Sequence, residues 1–165
     1  MMKKSAVTLL FAVLLLVSSR AFADTITLTL SDPTLSGVPG STLDFTATIS
    51  APSTNTGTIY LNGDSFNLNS PLTLDDYGFY FIFPASFDPG TSDTDVLFSI
   101  NIPADAAITS YIGSFTILGG SDGGASDVLA TANFQVNAVP EPSNVLLVAT
   151  GLAGLAFVGF KRVCL

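Results

Sequence analysis

One stretch of this chain alternates strictly between apolar and polar side chains, and a second does so apart from Leu97. In Leu43-Asp44-Phe45-Thr46-Ala47-Thr48-Ile49 the apolar residues fall on odd numbers, and in Val96-Leu97-Phe98-Ser99-Ile100-Asn101-Ile102 the set Val96, Phe98, Ile100 and Ile102 falls on even ones. A period of two gives a strand one buried face. No segment of the middle of the chain carries a convincing helical period. Strands are expected near Thr25–Leu30, Thr42–Ser50, Thr58–Leu61, Gly78–Phe83, Asp95–Ile102, Ile112–Leu118 and Val128–Val136, with a short one near Phe66–Leu68. Tyr111, Phe115, Ile117, Phe134 and Val136 complete the expected inner face. Turn signals separate the runs: Gly37-Val38-Pro39-Gly40, Ala51-Pro52, Asn62-Gly63-Asp64, Asp88-Pro89-Gly90 and the glycine-rich 119–124. The expectation is an all-β domain, an immunoglobulin-like two-sheet β-sandwich of seven or eight antiparallel strands, with a small jelly roll or barrel as the alternative. Antibody-type hallmarks are absent: the chain has no tryptophan and one cysteine.

Charge narrows the function classes. Of thirteen acidic residues, twelve are aspartates between Asp24 and Asp127 and the other is Glu141; the five basic residues are Lys3, Lys4, Arg20, Lys161 and Arg162. Residues 24–138 therefore hold no cation and no histidine. Nucleic-acid binding is excluded, since nothing there neutralises phosphate. Attraction to anionic lipid is disfavoured for the same reason. Stability must come from packing and backbone hydrogen bonds against self-repulsion. Cys164 lies in the extreme tail, so residues 24–138 can form no disulfide.

Both ends read as targeting segments. Lys3 and Lys4 precede an apolar core, Ala6–Val17, and Ala21-Phe22-Ala23 fits a small-x-small cleavage site. Residues 1–23 are expected to be a signal peptide read by the Sec machinery and signal peptidase, leaving Asp24 first. At the other end, Val145–Phe160 carries no charge and is followed by Lys161-Arg162. As a helix it would span ~24 Å, short for a ~30 Å bilayer core, but the basic pair can snorkel and act as a cytoplasmic stop. Before it stands Val139-Pro140-Glu141-Pro142-Ser143. The two prolines fix their own backbone angles and push Val139 and Glu141 towards extended geometry, giving a stiff segment suited to a protease groove.

The Val139-Pro140-Glu141-Pro142-Ser143 segment, the Gly/Ala/Leu-rich helix 145–160 and the Lys161-Arg162 stop together resemble the PEP-CTERM sorting tail, here residues 139–165. That resemblance implies an exosortase as processing enzyme, with Pro140-Glu141-Pro142 as its recognition element. It also implies an exported protein of a Gram-negative bacterium that makes extracellular polysaccharide. The protein would be held in the inner membrane by its tail and then passed to the cell surface or matrix. The order of segments in 24–138, from Pro39-Gly40-Ser41 to the hairpin expected over 111–134, is similar to sandwich domains carried by such proteins.

No catalytic constellation stands out. Without histidine, cysteine or lysine in 24–138, Ser-His-Asp, Cys-His, Ser-Lys and zinc schemes are excluded there, and the Gly119-Gly120 and Gly123-Gly124 pairs lack the lysine and helix of a phosphate loop. No cofactor is expected. Calcium is the one metal for which ligands exist: Asp75 with Asp76, Asp93 with Asp95, and Asp122 with Asp127, all in predicted loops. Aspartate is also a common turn former. Two functions remain. One is a non-enzymatic surface or matrix protein associated with exopolysaccharide; the other is an adhesin-like or carbohydrate- or calcium-binding module. An exposed row among Tyr60, Tyr77, Phe79, Tyr80, Phe81 and Phe83 favours the second.

Overall fold

The alternating segment at 42–50 forms a strand over its whole length, with Phe45, Ala47 and Ile49 fully buried. In the computed structural model, which describes residues 24–141 together with Val148 and residues 150–152, it is one of nine strands. These are β1 (Thr27–Leu30), β2 (Thr34–Gly37), β3 (Thr42–Ser50), β4 (Ile59–Leu68), β5 (Thr73–Asp75), β6 (Ser86–Phe87), β7 (Ser92–Asn101), β8 (Ser110–Gly120) and β9 (Asp127–Ala138), with a single-turn helix, α1 (Tyr77–Phe81), after β5. They make a two-sheet β-sandwich. One sheet has the order β1-β3-β7-β5, the other β2-β9-β8-β4-β6.

The inner faces meet in a cluster of phenylalanines. Phe45 and Phe98 from the first sheet stack with ring centroids 4.9 Å apart. Phe98 lies 5.0 Å from Phe115 and 4.9 Å from Phe134 of the second sheet. Offset rings at such distances add to the burial that drives sheet-on-sheet packing. Tyr111, Ile117 and Val136 are buried around them, as the alternation predicts.

Several expectations need correction. Nine strands replace seven or eight, and one pair is parallel: β2 runs alongside β9, Thr34 opposite Gln135 to Gly37 opposite Ala138. The first strand is divided between the sheets. Ser31 N–H donates to Thr46 O at 2.9 Å in one sheet, and Pro33 O accepts from Gln135 N–H at 2.8 Å in the other. Pro33 has no N–H to continue the first ladder. The turn signal Asn62-Gly63-Asp64 lies inside β4: the register shifts between Leu61 and Gly63, a bulge that joins the two expected strands. A second bulge in β7 carries Phe45 opposite Phe98 to Thr46 opposite Val96. Leu97 becomes the extra residue and is fully buried beside Phe98, while Val96, expected on the inner face, is half-buried.

The strand expected at Gly78–Phe83 is a helical turn. Asp75 Oδ1 accepts from Tyr77 N–H at 2.9 Å, and Ile82 N–H donates to Gly78 O at 3.0 Å. Phe79 and Phe83, four residues apart, both point into the core. A Cβ at Gly78 would collide with the Val96 and Leu97 carbonyl oxygens, so glycine lets α1 lie flush on β7.

The strands define two poles. Asp24, the expected first residue of the exported chain, has its carboxylate on Thr56 N–H at 2.8 Å. It sits at the pole formed by the 51–57, 88–91 and 121–126 turns. Val139 leaves from the opposite pole, its N–H on Gly37 O at 2.9 Å. Among the described residues no helix is long and apolar enough to cross a membrane. The expected signal peptide, with Ala21 and Ala23, lies outside the described residues. So do Pro142, Ser143, most of the expected helix 145–160, and Lys161-Arg162.

Candidate functional site

The bulge in β4 returns Asp64 and Phe66 to the inner face, opposite Ile117 and Phe115. They reach an open side of the sandwich where α1 is the cover. There Phe79 is buried, 5.9 Å from Phe115, while Tyr77, Tyr80 and Phe81 are 59%, 51% and 72% exposed. The rings of Tyr77 and Phe81 stack at 4.6 Å. Partial burial raises the Asp64 carboxyl above its ordinary value; the hydrogen-bonding interaction with Tyr80 opposes this, and the charge of Asp76 adds to it. The same interaction with Asp64 is the first cause that raises the Tyr80 phenol. This rim therefore combines exposed aromatic faces with carboxylates. A cleft of about 510 Å³ between β4 and β5, lined by Phe66, Leu68, Leu72 and Leu74, continues it.

Of the six aspartates singled out as metal candidates, Asp75, Asp93, Asp95 and Asp122 accept from backbone N–H groups. Asp93 and Asp95 each accept from the next residue's N–H, Thr94 at 2.8 Å and Val96 at 2.7 Å. Asp122 Oδ1 accepts from Gly124 N–H at 2.8 Å, and Asp75 from Tyr77, as above. Asp76 precedes α1 without capping it through its side chain. Asp127 opens β9 opposite Gly119. Among the described residues, no group of three or more metal-ligating side chains is placed to hold an ion.

A larger concavity lies on the outer face of the five-stranded sheet, which the sequence reading did not single out. It has a volume of about 530 Å³. Two rows of side chains cross it. One runs from Thr34 through Gln135 and Ile112 to Asn69; the other runs from Asn133 through Ser114 to Asn67. Every side chain in both rows is uncharged. The signal was present in the polar half of the β9 alternation, Thr131, Asn133, Gln135 and Asn137, which carries no aspartate in a domain whose charges are all aspartate.

No family model matches the chain, and no curated protein does either. Among solved structures, the chain is similar to one from the crystal structure of a CaDoc0917–CaCohA2 complex at pH 5.5, at 18% identity and a TM-score of 0.44, covering 68% of this chain and all of that one. It is also similar to a family 123 glycoside hydrolase from Clostridium perfringens, at 10% identity and a TM-score of 0.43, covering 70% of this chain and 27% of the hydrolase. Likenesses this distant carry no argument about activity. The class defined here is that of a two-sheet β-sandwich with an acidic surface and an uncharged groove.

Proposed function

We propose that the protein is an exported, non-enzymatic surface or matrix β-sandwich, held for a time in the inner membrane by a PEP-CTERM-like tail and released by an exosortase. Within this reading residues 1–23 are the signal peptide, 24–138 the displayed domain and 139–165 the sorting tail. The observation that carries it is the junction. The last strand ends at Ala138, and Val139, Pro140 and Glu141 are exposed immediately beyond it. A protease acting there meets a proline-stiffened segment just beyond the hydrogen bond from Val139 N–H to Gly37 O. The sheet orders support an immunoglobulin-like type: the first strand divided between sheets, with its second part parallel to the last strand.

The test is the intact mass of the protein recovered from medium and from inner membrane. A released species that starts at Asp24 and ends near 140–143 is expected. Glu141→Ala, or deletion of Lys161-Arg162, should leave the tail intact and the chain in the membrane. Normal release of those variants would sink the sorting reading.

One observation favours a second reading, a binding module. Tyr77, Tyr80 and Phe81 are exposed on one side of the sandwich, where solitary structural packing would bury them. Aromatic faces beside carboxylates suit contact with sugars or with a protein partner.

A further inference from the structure

We infer that the groove on the outer face of the β2-β9-β8-β4 surface is a binding site for an uncharged polysaccharide. The inference goes beyond both readings of the function: it names a site away from the α1 rim and a ligand class, and it does not depend on how the tail is processed.

The lining decides the chemistry. The amide side chains of Asn67, Asn69 and Asn133 make no hydrogen bond among the described residues, whereas neighbouring polar groups are already engaged. Ser110 Oγ donates to Asn137 Oδ1 at 2.7 Å, and Gln135 Nε2 donates to the same oxygen, also at 2.7 Å. Each free amide offers an acceptor oxygen and two donor hydrogens. That dual character matches a hydroxyl, which must both donate and accept. In the first row Ile112 presents an apolar side chain, 61% exposed, between Gln135 and Asn69. Hydroxyl partners around an apolar platform complement a pyranose, which has hydroxyls at its edge and C–H groups on its face. Within each row the side chains step from strand to strand at about 4.8 Å, on the scale of a single sugar ring, so the groove suits a chain of sugars rather than an isolated one.

Charge removes the competitors. The domain carries twelve carboxylates and no cation, yet none of them lines this groove. An acidic polysaccharide or a phosphate polymer would meet the field of those aspartates with no lysine or arginine to pair. A cationic ligand would find no carboxylate among the lining residues. A protein partner would need an apolar centre with large anchors, and Ile112 is the one large aliphatic side chain exposed in either row.

The test uses the full chain in nanodiscs, which avoids sugar-headed detergents. Retardation is measured in gels cast with dextran or laminarin as neutral polymers and alginate as an acidic one. Retardation by a neutral polymer and not by alginate is expected. Ile112→Asp and Asn133→Asp each bring a charge to an exposed position and should weaken it about tenfold or more, as when a hydroxyl partner is left unpaired. Thr48→Ala, on the outer face of the other sheet, should leave it unchanged. Circular dichroism on each variant confirms that the fold is kept. The proposal is overturned if neither neutral polymer retards the protein, if alginate does so equally, or if Ile112→Asp and Asn133→Asp retain the binding of wild type.

Discussion

Asp64 and Tyr80 are the residues at which burial and neighbouring charge act in the same direction, while the interaction between the two lowers one pKa and raises the other. The Asp64 pKa lies above 3.8, burial being the first cause. A raised carboxyl favours the fold most when protonated, so its contribution is present below the ordinary value and is lost as pH rises through the folded one. Tyr80 behaves alike at higher pH: its pKa lies above 10.0, and its contribution is lost as pH rises through that raised value. The expected outcome is that wild type loses stability relative to Asp64→Asn over a window beginning near pH 3.8, and that Tyr80→Phe removes a similar loss above pH 10. Urea unfolding across pH, wild type against variant, checks both; parallel profiles would contradict them. Single residues were partly legible in the sequence. Phe45, Phe98, Phe115 and Phe134 follow from alternation alone. The work of Asp93, Asp95 and Asp122 does not: ligand and turn former are the same residue type, and only the position of the neighbouring N–H separates them.

At the scale of elements, α1 depends on close approach. Gly78→Val should cost about 1–3 kcal/mol by overpacking, because the new side chain would meet carbonyl oxygens of β7 that cannot give way. Gly123→Ala is the control, since a Cβ there meets nothing within 4 Å. Denaturant midpoints compare the two, and equal midpoints would mean that α1 does not seat on β7 as described. The helical turn was hidden because Tyr77-Gly78-Phe79-Tyr80-Phe81 has strong strand propensity. Its one helical signal is the pair Phe79 and Phe83, too short a repeat to outweigh composition. The parallel β2 was hidden for a different reason: Thr34–Gly37 is four residues long, and its partner lies a hundred residues away. The uncharged groove joins residues from β2, β4, β8 and β9, so no local window contains it. The open part of β7 has its own protection. Asp93 and Asp95 occupy backbone donors that a foreign strand would otherwise use, which guards an edge against pairing.

For the whole molecule, twelve like charges on one sandwich make ionic strength the controlling variable. Raising salt from 0.01 to 1 M shortens the screening length from about 30 Å to 3 Å. The thermal midpoint should rise, by about 4–8 °C for each kcal/mol of repulsion relieved. Calorimetry measures it, and a screening salt should leave the order of midpoints the same whether it is sodium chloride or potassium chloride, since the effect depends on ionic strength alone. A salt-independent midpoint at neutral pH would show that the charges are too dispersed to matter. The placement of β9 has a mechanical corollary. It is flanked on both sides, by β2 and by β8, and the chain continues lengthwise from its end at Ala138. Tension applied to residue 139 runs along β9, so its ladder bonds to both neighbours are strained sideways at once and must fail together. β1 has a neighbour on one side only and four paired residues, so fewer ladder bonds resist the same tension there. The domain is thus better secured against a pull at the end that carries its tail than at its first strand.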